Sequence, residues 1–236
     1  AAIGSILAGM GSGDLVTAHA GSLDATYLPF EFVASPDAPL GSLQGHVARN
    51  NTQWREPCVG ESMVIVHAGD HYVSPTWLPS TTEHGQIVPT WDYITVQAYG
   101  RLVAHDDRDW TYDVVRRLSE RHEAALAAGG HAGPGASGER PWSLADAPAE
   151  YVERMMRAIV GVELIIDRWV GKAKMSQNKT PQDVEGEIAA LRALGRDQLA
   201  RFKTDVSLPA ALARKELLAD VARKHGSPAR RPQGPE

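Results

Sequence analysis

The stretch "WDYITVQAYGRLVAH", residues 91–105, decides the fold class because apolar and polar side chains alternate along it. Ile94 and Val96 fall on one face of an extended chain, and Thr95 and Gln97 fall on the other. A period of two residues is typical of a β-strand whose two faces meet different surroundings. We therefore predict a strand here.

Short runs of the same character surround this strand. They are rich in Val, Ile, Tyr and Thr and are separated by Gly, Pro, Asp and Asn. The runs are "DLVTAHA" (14–20), "LDATYLPFEFVA" (23–34), "GSLQGHVA" (41–48), "SMVIVHA" (62–68) and, after a predicted change of direction at Gly161, "VELIID" (162–167). Closely spaced strands of this kind predict a small antiparallel barrel.

Helical periodicity begins near residue 107, where Asp106 or Asp107 can cap a helix that places Trp110, Val114 and Leu118 on one face. A second helix is predicted in "DAPAEYVERMMRAIV", residues 146–160. Its apolar stripe consists of Val152, Met155, Met156 and Ile159. Two further helices are predicted to open at a capping box of Thr180, Pro181 and Asp183 and at Ser207 with Pro209.

The predicted organisation has three parts. Residues 1–180 form a ligand-binding barrel with inserted helices, residues 181–225 form a C-terminal helical extension, and residues 226–236 form a disordered tail rich in Pro, Gly and Arg. The glycine-rich stretch "AAGGHAGPGASGERP", residues 127–141, is predicted to be a surface loop.

Composition narrows the function classes. The chain has 236 residues, 43% of them apolar, which is enough for a sizeable core. Its formal net charge of −5 provides no global attraction to DNA or to an anionic membrane, and no apolar run approaches the roughly 20 residues that span a bilayer. A single cysteine, Cys58, excludes an internal disulfide and a cysteine-based zinc site. We expect a cytoplasmic protein.

Two histidines four residues apart stand in "HAGDHYVSPTW", residues 67–77. A mononuclear metal site on His67 and His71 would need a third ligand, and the local options are Asp70, His84 and Asp92. Gly69 argues against a helix or strand continuing through this stretch. A haem needs only one axial imidazole, so either histidine alone could serve.

A dense set of donors follows the run at 41–48. An imidazole, a guanidinium and two amides could hold a phosphate, with an indole as a wall for a planar ring. These residues are His46, Arg49, Asn50, Asn51 and Trp54. The alternative is a polar turn that satisfies its own backbone.

Two further motifs offer ligand contacts. In "GKAKMSQNKT", residues 171–180, strand alternation predicts that Lys172, Lys174 and Ser176 share one face and could contact an anion, although solvated lysines are the alternative. In "VPTWDY", residues 88–93, Thr90 can donate a hydrogen bond and Trp91 can stack on a ring. Asp92 is a candidate general base.

These motifs together resemble the PaiB-like FMN-binding negative transcriptional regulators. The matching pieces, in the order of the family, are "LVTAHAGSLDATYLPF", "GSLQGHVARNNTQW", "YVSPTW", "VPTWDYITVQAYG", "PW" at Pro141, "YVERMMRAIVGVEL" and "GKAKMSQNKT", which lie within residues 14–190. The resemblance implies an α+β, mainly β, fold: a split β-barrel with peripheral helices and a C-terminal helical extension. It also implies a homodimer with FMN at the subunit interface.

The resemblance carries cofactor contacts over to particular positions. The implied cofactor-binding residues are His46, Arg49, Asn50, Asn51, Trp54, Ser74, Trp77, Thr90, Trp91, Lys174, Ser176, Gln177 and Asn178. Arginine and lysine would meet the FMN phosphate, amides and hydroxyls the ribityl chain and ring edges, and indoles the isoalloxazine face. The resemblance also implies a leader before the first strand, so a start truncated relative to the family is one expectation.

The chain departs from the family pattern at His67-Ala68-Gly69-Asp70-His71, where the usual histidine is moved by one place and a second one stands where glutamine is common. A branch that resembles the same fold, the piperazate synthases, is implied to use haem b to form an N–N bond in N5-hydroxyornithine. A haem enzyme with His67 or His71 as ligand is therefore one alternative to an FMN protein of redox or regulatory role. A cofactor-free interaction module is another. The family name implies transcriptional repression, but without a helix-turn-helix signature or a basic face we do not expect direct DNA binding.

Overall fold

The computed structural model describes residues 2–36, 38–129 and 140–225, and within these ranges the chain divides into two compact units. Unit 1 comprises the chain up to Ala68 and Thr95–Gly171, and unit 2 comprises Gly69–Ile94 and the chain from Lys172 onward. These bounds differ from the predicted division after residue 180, because residues 69–94 group with the C-terminal helices. The predicted disordered tail and most of the predicted glycine-rich loop lie outside the described residues.

Seven strands and seven α-helices make up the described secondary structure. In chain order they are α1 (Ala2–Gly9), β1 (Ser12–His19), β2 (Ser22–Pro29), β3 (Glu31–Ser35), β4 (Ala38–Ala48), β5 (Ser62–Val73), α2 (Pro79–His84), β6 (Thr90–His105), α3 (Arg108–Ala128), α4 (Ala149–Met156), β7 (Ile159–Lys174), α5 (Pro181–Ala193), α6 (Asp197–Phe202) and α7 (Leu208–His225). Short 3-10 turns lie at Pro75–Trp77 and Leu144–Asp146, and a π-helical turn at Lys203–Ser207 joins α6 to α7.

All seven strands belong to one sheet in the order β2-β1-β5-β6-β7-β4-β3. The β1–β2 hairpin is antiparallel from Ser12↔Pro29 to His19↔Ser22. Strand β4 pairs antiparallel with β7 from Ser42↔Ile165 to Ala48↔Ile159. The predicted antiparallel arrangement is confirmed.

The sheet curls so that its opposite ends approach each other. Strand β2 ends the strand order on one side, while β4 lies next to the last strand on the other. A Cβ atom added at Gly45 in β4 would nevertheless lie 2.8 Å from the carbonyl oxygen of Pro29, the last residue of β2. The predicted α+β fold built on a split β-barrel is confirmed.

The core of unit 1 lies inside this curled sheet. Leu15, Phe30, Leu43, Val64 and Leu164, which come from different strands or their ends, are fully buried in one apolar cluster. Burial of side chains of this size contributes about 1.5–3 kcal/mol each. The barrel therefore supplies the rigid support from which polar residues at the strand ends project.

Three predicted boundaries are wrong. The run predicted at 23–34 is two strands, because β2 ends at Pro29 and β3 begins at Glu31. The predicted helix at 146–160 ends at Met156, so Ile159 opens β7 instead of extending the helical stripe. Strand β7 also passes straight through Gly161, where a Cβ would lie 2.3 Å from Cζ3 of Trp110.

Strand β5 corrects a fourth expectation, because it continues through Gly69 to Val73. Gly69 has a φ of 128°, and a Cβ there would lie 2.9 Å from Cδ2 of Leu199. Glycine is therefore required at this position for its backbone freedom and for the close packing of α6. It does not end the strand.

The predicted helix starts are largely confirmed. The Asp107 side chain accepts a hydrogen bond of 2.7 Å from the Trp110 N–H and caps α3. Thr180 caps α5 by accepting from the Asp183 N–H at 3.1 Å. The second half of the predicted capping box is replaced, because the Asp183 carboxylate accepts instead from the backbone N–H and the hydroxyl of Ser80.

In the part of the chain that the structure describes, no helix has the length and apolarity that crossing a bilayer requires.

Candidate functional site

The first predicted ligand cluster lies in unit 1, at the end of β4 and in the turn that follows. Arg49 donates to both Asp106 carboxylate oxygens, at 2.7 and 3.1 Å, and to the carbonyl oxygens of Arg157 and Ile159, at 2.8 and 3.0 Å. Its guanidinium therefore joins the end of β4 to the start of β7. The structure thus shows that Arg49 positions the elements around it. Its predicted contact with a phosphate stays a prediction.

The carbonyl of Arg49 orients two neighbouring side chains. It accepts a hydrogen bond of 3.2 Å from Nε1 of Trp54 and one of 2.8 Å from the Arg55 guanidinium. The Arg55 guanidinium also lies over the Trp54 ring, 4.9 Å from its centre. One backbone oxygen thus fixes an indole and a guanidinium together.

The remaining members of this cluster have separate environments. Asn51 accepts from the Gln53 N–H at 2.8 Å and donates to the Thr26 hydroxyl at 3.0 Å, so it closes the turn. Asn50 is exposed. His46 is half-buried, its Nδ1 is buried without a partner, and burial lowers its pKa.

A cavity of about 420 Å³ in unit 1 is lined by Trp54, Arg55, Arg101 and Leu102, among others. It brings one predicted residue, Trp54, together with two guanidinium groups. Sequence reasoning missed Arg55 and Arg101. Arg101 lies on β6, and Arg55 lies in the segment between β4 and β5, so only the tertiary fold brings them together.

Unit 2 contains a second cavity, of about 410 Å³, which gathers most of the later predicted residues. Thr90, Asp92, Lys174, Ser176 and Asn178 line it. The Lys174 ammonium donates to the Thr90 hydroxyl and to the Trp91 carbonyl. Lys179, which sequence reasoning did not select, also lines this cavity.

The predicted common face of Lys172, Lys174 and Ser176 is wrong. Strand β7 ends at Lys174, and Ser176 lies in the following turn with a φ of 64°. The lysines are exposed, whereas Ser176 is buried. Gln177 stabilises this turn, because its side chain accepts from the Met175 N–H at 2.9 Å and donates to the Ala173 carbonyl at 2.8 Å.

The other predicted contacts of unit 2 lie apart from the lining of its cavity. Ser74 caps the 3-10 turn by accepting from the Thr76 N–H at 3.3 Å, and Trp77 ends that turn. Trp91 is 53% exposed and donates from Nε1 to Asp70 at 3.0 Å.

Behind the cavity of unit 2 lies a cluster of buried charges. The fully buried Lys203 ammonium lies 2.6 Å from Oδ2 of Asp92, contacts Oε2 of Glu187 and lies 3.3 Å from the Met175 carbonyl. The Ser176 hydroxyl lies 2.8 Å from Asp92 Oδ2 and 2.9 Å from Glu187 Oε1.

One hydroxyl proton cannot serve both carboxylates. Burial raises the pKa of Glu187, so a proton on Glu187 can supply the second hydrogen bond to Ser176. Sequence reasoning missed Lys203 and Glu187 because they lie in residues 181–225, which it predicted to be a C-terminal helical extension without site residues.

The two histidines of the predicted mononuclear metal site, His67 and His71, belong to different units. His67, in unit 1, is 58% exposed and has Nε2 3.4 Å from the Asp14 carboxylate. His71, in unit 2, is only 7% exposed, and neither ring nitrogen has a hydrogen-bond partner. Burial is the main cause that lowers the pKa of His71 to about 4, with the nearby Lys203 charge adding to it. The imidazole is neutral at pH 7.

Residues 1–168 match the family model described as "Putative FMN-binding domain". An uncharacterized protein of Aspergillus fumigatus is 31% identical over 211 residues, covering 74% of this chain and 78% of that protein. The protease synthase and sporulation protein PAI 2 of Bacillus subtilis is 25% identical over 183 residues, covering 76% and 78%.

The solved structures that this chain is similar to include an FAD and haem binding protein of Mycobacterium smegmatis. The identity is 14%, the match covers 73% of this chain and 69% of that one, and the TM-score is 0.45. The unit 1 cavity lies entirely within the residues that the family model matches, whereas the unit 2 cavity also uses residues beyond 168.

Proposed function

We propose that this chain, which belongs to the family of FMN-binding domains, binds a flavin in the cavity of unit 1. The observation that carries the proposal is the combination of Trp54, Arg55 and Arg101 around one space within the matched residues. An indole supplies a planar apolar wall for a ring system, and guanidinium groups bind phosphate through paired N–H donors.

The residues of this cavity suit a flavin mononucleotide. A volume of about 420 Å³ lies within the usual range of small-molecule sites. We propose FMN ahead of FAD because the family model that residues 1–168 match is described as FMN-binding. A bound flavin would supply hydride-transfer chemistry.

The protein's own contribution is positioning. Arg55 and Arg101 would hold the phosphate, and Trp54 would exclude water from one side of the ring. The Arg49 carbonyl holds Trp54 and Arg55 in place, and Arg49 is itself held by Asp106. This arrangement supports a redox role, or a regulatory role that responds to the flavin. Direct DNA contact is not part of the proposal, because the net charge is −5.

We also propose a homodimer, which the resemblance of the sequence motifs implies. The resemblance at the sequence level implies that the ligand lies at a subunit interface. The cytoplasmic location also stays a prediction.

A titration with FMN, followed by quenching of flavin fluorescence, tests the site. Arg101 is exposed, so Arg101→Gln should fold normally and should weaken FMN binding by about tenfold or more, the effect of losing a charge-assisted contact. The matched control is Arg154→Gln, because the Arg154 guanidinium lies over Tyr151 and outside the cavity.

A second variant separates the two cavities. Lys174→Gln changes the cavity of unit 2 and should leave the affinity for FMN unchanged. If Lys174→Gln weakens binding and Arg101→Gln does not, the proposed site in unit 1 is wrong and the sequence-predicted contacts of unit 2 gain support. If the wild-type chain binds no flavin, the proposed function itself is wrong.

A further inference from the structure

His71 presents an unsatisfied imidazole inside unit 2. It is 7% exposed, and both Nδ1 and Nε2 are buried without a hydrogen-bond partner. A buried polar group without a partner costs about 1–3 kcal/mol. Such a group in a folded protein calls for an explanation, and an ion or water that completes its bonding is the usual one.

The same region contains an unsatisfied carboxylate oxygen. Asp92 is 1% exposed, and its Oδ2 is held by Lys203 and Ser176, but its Oδ1 is buried without a hydrogen bond. The Lys174 ammonium lies 3.9 Å from Oδ1, beyond hydrogen-bond distance. Three buried ligand atoms without a hydrogen bond, two on His71 and one on Asp92, therefore lie in unit 2.

Glu187 completes a set of three. One ligand atom each from His71, Asp92 and Glu187 lies within 4.8 Å of the others, and all three residues are buried. One imidazole nitrogen with two carboxylates is a donor set that suits divalent transition-metal ions such as Zn²⁺. We propose that His71, Asp92 and Glu187 form a binding site for a divalent transition-metal cation.

Lys203 explains how the site is held together when no cation is bound. Its ammonium contacts Oδ2 of Asp92 and Oε2 of Glu187, while the unpaired Oδ1 of Asp92 stays available. The lysine thus keeps the two carboxylates close and leaves Oδ1 of Asp92 free. Glu187 has both oxygens engaged, by Ser176 and Lys203, so it must release its proton and exchange one of these contacts to bind the cation. The Lys203 ammonium also repels a cation bound beside it, which lowers the affinity of the site for the cation. We therefore expect the site to need its imidazole ligand, His71, in addition to the two carboxylates.

This site is independent of the proposed flavin function. Its three ligands belong to unit 2, and Glu187 lies beyond the residues that the family model matches. A chain that binds flavin but no metal, or metal but no flavin, would distinguish the two proposals.

A titration of the full, chelator-treated chain with Zn²⁺ tests the proposal. We expect one equivalent to bind the wild type. His71→Leu should lower the affinity by about tenfold or more, as loss of a metal-site contact does. His67→Leu is the matched control, because it removes the exposed histidine four residues earlier, and it should bind as the wild type does. Leucine is chosen because an apolar side chain of similar size leaves no unpaired polar atom at position 71.

Two comparisons test the site further: the affinity for Mg²⁺ against that for Zn²⁺, and the melting temperature with and without Zn²⁺. Mg²⁺ prefers oxygen ligands and water, so it should bind far more weakly than Zn²⁺. Zn²⁺ should raise the melting temperature of the wild type and of His67→Leu, because a ligand that binds only the folded state stabilises it. This readout in the wild type stands even if His71→Leu fails to fold. Absence of Zn²⁺ binding or of any Zn²⁺-dependent stabilisation in the wild type, or equal binding by a folded His71→Leu, would overturn the proposal.

Discussion

Ser176 has a backbone conformation that serine rarely adopts. Its φ is 64°, and it is the one non-glycine residue with a positive φ among those that the structure describes. The hydroxyl lies between the carboxylates of Asp92 and Glu187. A residue with a Cβ pays roughly 1–2 kcal/mol in this region, and such strain persists where the surrounding contacts demand it.

Two substitutions at this position separate the strain from the hydrogen bonds. Ser176→Ala and Ser176→Gly both remove the hydroxyl, but only glycine relieves the strain. We expect the glycine variant to be more stable than the alanine variant by about 1 kcal/mol in urea unfolding. Equal stability, or a more stable alanine variant, would show that the turn is not strained.

Lys203 is the centre of the buried charges. Removing one partner of a buried ion pair is expected to cost about 3–5 kcal/mol, because the remaining charges lose their compensation. Lys203→Met should therefore lower the free energy of unfolding by about this amount. The control, Lys172→Met, changes an exposed lysine and should stay within about 0.5 kcal/mol of the wild type. A Lys203→Met loss as small as the control's would contradict the role given to the cluster.

His71 should make the stability of the metal-free protein depend on pH. Its pKa is lowered to about 4 in the folded state from 6.5. Between these values the unfolded state binds more protons, so the stabilisation is present above pH 6.5 and is lost as the pH falls through 4. A gap of this size corresponds to up to about 3 kcal/mol.

Comparison with His71→Leu isolates this effect from other titrating groups. Between pH 7 and pH 4 the wild type should lose up to about 3 kcal/mol more stability than the variant, measured by denaturant unfolding with chelator present. Parallel pH profiles of the two proteins would show that His71 is not held neutral by burial.

The sequence supplied some members of this cluster and not others. Asp92 and Ser176 stood in short motifs with recognisable chemistry, so they could be selected as candidates. Glu187 lies on α5 and Lys203 opens the π-helical turn between α6 and α7, in a C-terminal region where isolated charges usually face solvent. Only tertiary packing turns these helices so that both side chains meet Asp92, and periodicity within one segment does not contain that information.

Close helix packing depends on a glycine in α5. A Cβ added at Gly186 would lie 2.1 Å from the carbonyl oxygen of Trp77, at the end of the 3-10 turn. Gly186→Ala should therefore destabilise the protein by about 1–3 kcal/mol through overpacking, although alanine favours helix. Thermal unfolding measures this change.

Gly4→Ala is the matched control for that substitution. Gly4 also lies in a helix, α1, and nothing lies within 4 Å of a Cβ added there. Alanine should be neutral or slightly stabilising at this position. If both glycine variants behave alike, the close approach of Gly186 to Trp77 is not a constraint on the fold.

Strands and helices were predictable where local chemistry decides them. The Asp107 cap of α3 follows from local hydrogen bonding, and it is observed. The continuation of β5 through Gly69 was missed, because the need for glycine there comes from Leu199 on α6. A glycine in a strand pattern can mark the end of the strand or a close approach by another element. Only the residue that packs against the glycine, here Leu199, distinguishes the two cases.

The division of the molecule has a functional consequence. The family model matches residues 1–168, which include the whole cavity of unit 1, whereas the proposed metal ligand Glu187 lies beyond them. The family relationship supports a flavin, and its location in unit 1 is the proposal made above. The proposal for unit 2 rests on its own buried side chains.

The most direct test of the central claim is the absorption spectrum of the purified full chain after incubation with FMN and removal of unbound ligand. We predict that flavin bands remain with about one equivalent per chain and that Arg101→Gln loses most of them. A haem Soret band with no flavin uptake, or a colourless protein that retains no FMN, would contradict the proposed flavin function.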